Sequence, residues 1–222
     1  MSHAPYLSPS ERGVRVFLGV LFALLAALVF VHPAARVLAG LVAVGAFVEA
    51  GFGVCPLHKR LAGGNHALAP AQRRLCGLAL VQLVLAYEWF FAGLEKVTGE
   101  FAANLSGTLS KFASENPFGW YKTFLEMSPE SAQVLGGFIA WGELLTGVAL
   151  ALSVVVYIYS GKANVKSFAL VLGILALLVG AFMNANFFLA AGWMSPSTHG
   201  VNMIMFWIEI ALLYVWFLDW RT

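Results

Sequence analysis

Apolar residues along this chain gather into long runs, not into the short alternations of a half-buried sheet. Six runs reach the length of about 20 residues that a hydrocarbon core demands, at 14–31, 34–54, 75–97, 132–158, 167–190 and 200–218. Polar positions inside the last four runs are few. Glu88 and Glu95 lie in the third, Glu143 in the fourth, Asn184 and Asn186 in the fifth, and Asn202 and Glu209 in the sixth. Glu88 and Glu95 are seven residues apart, as are Asn202 and Glu209, so each pair shares one face of its helix. The pattern predicts an all-α integral membrane protein with six transmembrane helices.

Composition agrees with the pattern. Of 222 residues, 60% are hydrophobic and 11% charged, and the mean hydropathy is +0.82, where a soluble domain carries roughly a quarter charged residues. The first run is longer than the apolar core of a secretory signal, which favours an uncleaved helix. Ser8-Pro9-Ser10-Glu11 ahead of it reads as a helix start, with Ser8 as N-cap, Pro9 at N1 and Glu11 at N3. With the N-terminus inside, the inner segments hold nine basic residues (Arg12, Arg15, Lys59, Arg60, Arg73, Arg74, Lys162, Lys166, Arg221). The outer segments hold four (Arg36, Lys96, Lys111, Lys122). The positive-inside rule then places both termini in the cytoplasm of a multi-pass inner-membrane protein.

Residues 1–63 read as a two-helix hairpin, 64–74 as a polar, basic cytoplasmic linker, and 75–222 as a four-helix bundle. The linker's basic residues suit anionic lipid better than nucleic acid. An outward segment, 100–131, joins the third and fourth helices. Phe101, Leu105, Leu109 and Phe112 recur there at helical spacing, as in a helix lying in the membrane interface. Phe118, Trp120, Tyr121, Phe124 and Leu125 follow as an aromatic patch, either a belt at headgroup level or a lid over a pocket. In the fourth helix Gly136, Gly137, Gly142 and Gly147 permit close helix approach.

On this topology Glu88, Glu95, Glu143, Asn184, Asn186 and Asn202 fall in the outer halves of their helices, with Glu209 near the middle. Each helix of the bundle therefore contributes to one polar layer; Glu49 of the hairpin stands apart. Ionised carboxylates at that depth cost several kcal/mol each unless they are paired. Three uses stay open: protonated glutamates as interhelical glue, a pocket for a polar headgroup such as a quinone whose protons they handle, or a cation site. Lys96 reads as an interfacial residue that snorkels, able to attract an anion from outside.

Redox equipment is sparse. Cys55 and Cys76 are the only cysteines, both on the cytoplasmic side, where a structural disulfide is disfavoured; they read as small packing residues. His3, His32, His58, His66 and His199 lie in loops or at helix ends, so no pair is placed to hold haem, and no metal site is expected. An electron-transfer role would need a bound quinone or a partner redox subunit. A homo-oligomer is open, and the lipid bilayer is a partner in any case.

Two resemblances extend this reading. Residues 11–63, with Gly53-Val54-Cys55-Pro56-Leu57 at their end, resemble a small two-helix family of bacterial inner-membrane domains. Residues 72–218 resemble the DoxX/DoxD-like membrane family. The features are Glu88-Trp89-x-x-x-Gly93-x-x-Lys96, the loop Asn116-Pro117-Phe118, Asn184-x-Asn186-Phe187-Phe188, Gly192-Trp193-x-Ser195-Pro196, then Asn202 and Glu209. One branch of that family is similar to the membrane subunit of thiosulfate:quinone oxidoreductase. The likeness implies quinone-linked oxidation of a sulfur compound outside the membrane. Glu88, Glu95, Glu143 and Glu209 would handle protons or hold the quinone head. Asn184, Asn186 and Asn202 would orient it, Trp89 and Trp193 would pack beside it, and Lys96 would favour an anionic substrate. The other reading is a non-catalytic membrane anchor or assembly factor for a partner redox protein.

Overall fold

A computed structural model describes residues 7–29, 33–53, 55 and 70–221. The turn residues Val54, Pro56 and Leu57, and linker residues 64–69, lie outside the described residues. All regular structure among the described residues is helical. The chain divides into two compact units, Met1–Leu75 and Cys76–Thr222.

The first unit is a helical hairpin. Helix α1, Pro9–Leu24, starts as its sequence predicts: the Ser8 hydroxyl accepts from the Glu11 amide, and the Glu11 carboxylate accepts from the Ser8 amide. Leu25–Val29 continue it as a π-helical turn, and α2 runs Pro33–Phe52. The helices close where Phe47 lies over Gly19, at which a built Cβ comes within 2.9 Å of the ring. Arg15 Nε donates to Glu49 Oε2 at 2.8 Å, which gives the hairpin's isolated acid a partner. Arg12 donates to the carbonyls of Ala50 and Gly51, at 2.7 and 3.0 Å. The last carbonyls of a helix have no partner within it, so this guanidinium closes the end of α2.

The second unit holds α3, Pro70–Thr98 (which begins before the division), then α4, Phe101–Glu115, and α5, Gly119–Leu125. The long helices α6, Pro129–Tyr159, α7, Ala163–Ala191, and α8, Pro196–Arg221, follow. Among the described residues, Ala71–Thr98, Pro129–Tyr159, Ala163–Ala191 and Thr198–Leu218 are each long and apolar enough to cross a membrane. The α1 and α2 helices are shorter, at 16 and 20 residues.

Glycine decides where α3 meets α6. A Cβ on Gly93 would overlap the backbone of Leu144, and one on Gly147 would overlap the backbone of Phe90, so the two helices touch backbone to backbone. Gly136 does the same against Ala102 of α4, with a built Cβ 2.7 Å from the Ala102 Cα. Gly137 faces open space and Gly142 makes only ordinary contact. Of the four glycines expected to bring helices together, Gly136 and Gly147 do so.

Helices α4 and α5 form a cap on one end of this unit. Leu105, Leu109 and Ala113 are buried in a cluster with Tyr121, Leu125, Ala132, Ala190 and Ala191. The stripe that would enter lipid in an interfacial helix is thus spent on protein. Asn116 Nδ2 donates to the Leu189 carbonyl at 3.0 Å, and the Tyr121 hydroxyl donates to Asn186, 3.1 Å from its Oδ1. Burial pushes the Tyr121 phenol above its ordinary value, so that hydroxyl keeps its proton and its donor role. Trp120 and Phe124 stay exposed at the outer edge of the cap.

Candidate functional site

Three polar rungs cross the interior of the second unit, all built on one face of α3. Gln82, Trp89 and Lys96 are spaced by seven residues, about 10 Å per step along a helix. Each reaches across to a different set of helices.

At the rung nearest the cap, Lys96 Nζ lies 2.5 Å from both carboxylate oxygens of Glu143. Glu143 is sealed, with 1% of its side chain exposed against 26% for Lys96. The ammonium also lies 5.3 Å from the centre of the Phe101 ring and 5.7 Å from that of Phe187, within reach of both π faces. Lys96 thus does not snorkel away from its helix end. The buried carboxylate holds it inward, because an unpaired Glu143 would leave a bare charge in the core.

In the middle rung Glu209 is fully buried. Trp89 Nε1 donates to its Oε1 at 2.8 Å and Asn184 Nδ2 to its Oε2 at 2.9 Å. Gly180 lies against the carboxylate, and a Cβ there would overlap Oε1. The Phe187 ring, 6.3 Å from Trp89, joins this rung to the Lys96–Glu143 pair. Glu143 meets a cation, whereas Glu209 meets two N–H dipoles.

The third rung joins side chains that sequence reasoning passed over. Gln82 Nε2 donates to Ser153 Oγ at 2.8 Å and to the Leu150 carbonyl at 3.1 Å. Trp216 Nε1 donates to Gln82 Oε1 at 2.7 Å. Gly173 leaves the space beside Ser153. The second and third rungs reciprocate: Trp89 of α3 serves Glu209 of α8, and one heptad further Trp216 of α8 serves Gln82 of α3. A signal for the third rung was present, since Gln82 lies seven residues before Trp89 and Trp216 seven after Glu209.

The remaining expected residues fall elsewhere. Glu88 and Glu95 are exposed, each one position before a rung residue and therefore turned about 100° away from the interior face. Asn186 holds the cap through Tyr121, and its Nδ2 donates to the Phe182 carbonyl. Asn202 donates to the Thr198 carbonyl of its own helix. Trp193 packs edge-on against Phe118, centroids 5.3 Å apart, under the cap. Of the single polar layer expected from topology, Glu143 falls in one rung and Asn184 and Glu209 in the next, while Glu88, Glu95, Asn186 and Asn202 enter none. Among the described residues no group of three or more His, Cys, Asp or Glu is placed to hold a metal ion.

Four helices long and apolar enough to cross a membrane make this an integral membrane protein. Residues 8–69 match the family model described as the transmembrane domain of inner membrane protein YgaP-like. That stretch begins at the N-cap of α1, includes the whole hairpin, and stops short of α3. No curated protein and no solved structure matches the chain.

Proposed function

We propose that the second unit is a DoxX-like inner-membrane subunit of quinone-linked redox chemistry, with the Lys96–Glu143 pair as the point where a quinone head would meet the protein. One observation carries this: a largely buried ammonium, within reach of the rings of Phe101 and Phe187, is bonded to a carboxylate that is itself sealed. A flat ring with carbonyl acceptors suits that setting, since the two phenylalanines supply apolar faces and the ammonium a charge-assisted donor. Quinone reduction takes up two protons and two electrons, and the electrons would come from a partner redox subunit or an external sulfur compound that is oxidised in turn. Lys96 can donate toward a carbonyl oxygen, Glu143 can hold the proton that Lys96 shares, and Glu209 is a second buried carboxylate beyond Phe187. Because Glu143 neutralises Lys96, an attraction for an anionic donor such as thiosulfate gains no support from this lysine. The sulfur branch of the reading rests on the family resemblance alone. The same resemblance, with the hairpin's match to an inner-membrane domain, favours six spans and a bacterial inner-membrane location.

The rival reading, a non-catalytic anchor or assembly factor, is favoured by a specific observation of its own. The second and third rungs are tied by side-chain hydrogen bonds that run from one helix to another, as interhelical glue would be. Quinone content separates the two. Full-length protein extracted into nanodiscs of native lipid should retain quinone in stoichiometric amount, and the charge-neutral double variant Lys96→Met/Glu143→Gln should lose it while remaining folded. Quinone at bulk-lipid levels in the wild type would leave the anchor.

A further inference from the structure

The cap's apolar surface is not all spent on protein. Tyr121 and Leu125, four residues apart, turn one face of α5 into the buried cluster. Trp120 and Phe124, also four apart, form a second face and are left 67% and 48% exposed. Their rings are braced from behind: Phe118 lies 6.3 Å from Trp120, and Tyr121 lies 5.2 Å from Trp120 and 5.4 Å from Phe124. Lys122, with 44% of its side chain exposed, lies about 200° round the helix from Trp120 and about 160° from Phe124, at 3.6 residues per turn. Across its axis α5 therefore has an aromatic edge and, nearly opposite, a cationic one, with the protein-packed face between them. Chain length fixes its depth. Ser128 caps α6 three residues after Leu125, and three residues span about 10 Å at most, so α5 lies beside the end of a helix long and apolar enough to cross the membrane.

We propose that α5 lies in the bilayer interface, with the Trp120 and Phe124 rings in the glycerol and upper acyl layer and Lys122 turned toward headgroups and water. The polarity across the helix argues for lipid over another polypeptide. An aromatic edge with a lysine on the opposite side matches the change from hydrocarbon to water over one helix diameter, whereas a docked protein would make no use of the lysine. Depth and polarity agree independently, one read from the chain's path into α6 and the other from the order of side chains within α5. The consequence is a division of labour: α4 buries its stripe against the bundle, and α5 holds the cap to the membrane. This placement is independent of the quinone reading.

Fluorine NMR of the full chain, labelled with fluorotryptophan and held in phosphatidylcholine nanodiscs, tests it. The resonance lost in Trp120→Phe identifies Trp120, and the one lost in Trp89→Phe identifies the buried Trp89. Two relaxation agents are compared: a phosphatidylcholine with a nitroxide near the head of its acyl chain, and a gadolinium chelate confined to water. The lipid-borne agent is expected to broaden Trp120 several-fold more than the chelate does, while Trp89 responds weakly to both. Phe124→Glu, which puts a charge on the aromatic edge, should cut the lipid-borne broadening of Trp120 and leave Trp89 as it was. Stronger broadening of Trp120 by the chelate would overturn the placement, because the edge would then stand in water. A response as weak as that of Trp89 would also overturn it, because polypeptide would then cover the edge. So would an unchanged Trp120 response in Phe124→Glu.

Discussion

Trp89 organises the interior more than the glutamates that flank it in sequence. Its indole gives the sealed Glu209 one of its two donors, so Trp89→Phe removes a hydrogen bond while keeping an aromatic ring in place. We expect a loss of about 1 kcal/mol, seen as a lower melting temperature in detergent by size-exclusion fluorescence. Lys96 is more consequential. Lys96→Met leaves Glu143 buried without its cation, a change that costs about 3–5 kcal/mol, and folded protein should fall sharply. Adding Glu143→Gln should restore much of it; a double variant as poor as the single one would contradict the pairing. Glu88→Gln and Glu95→Gln, at exposed positions, should leave the fold intact. Heptad spacing made the existence of a polar face on α3 legible in the sequence but left its phase open. Acids are rare in a span and so Glu88 and Glu95 stand out, yet the inward positions belong to Gln82, Trp89 and Lys96.

At the scale of elements, α3 and α6 touch through their backbones. Gly93→Leu would force them apart, and overpacking of this kind costs about 1–3 kcal/mol or more. Folded yield should drop, whereas Gly137→Leu, on a face with open space, should leave it near the wild-type value. Glycines could be counted in the sequence, but only the helix crossing shows which of them are pressed against a neighbour. The amphipathic period of α4 is legible in the sequence, but a single sequence carries no sign of the Ala190–Ala191 surface that covers its apolar face in place of lipid. The cap also carries a pH prediction. Burial favours the neutral form of Tyr121, so its contribution to docking is complete below the ordinary tyrosine value near 10 and is lost as pH rises through the raised folded value. Cap detachment at alkaline pH, followed by protease cleavage near Asn116, should shift with Tyr121→Phe; an identical pH profile in that variant would remove Tyr121 as the titrating group.

The whole molecule couples two units with different kinds of support. The hairpin matches an inner-membrane domain family over residues 8–69, and the second unit carries the three polar rungs. Hydropathy was enough to find the membrane class and the four longest helices, because a span needs only length and apolarity. It could not pair Glu143 with Lys96, whose partners lie 47 residues apart, nor reveal the reciprocal tryptophans of α3 and α8. In the proposed function Lys96, Glu143 and Glu209 handle the protons of a bound quinone. Infrared difference spectroscopy on the full chain in nanodiscs, recorded as added ubiquinone is reduced electrochemically, reads those protons. A carboxylic-acid C=O band should appear or vanish on reduction and be lost in Glu143→Gln or Glu209→Gln. A difference spectrum with no carboxyl band, or one unaltered in both variants, would contradict it.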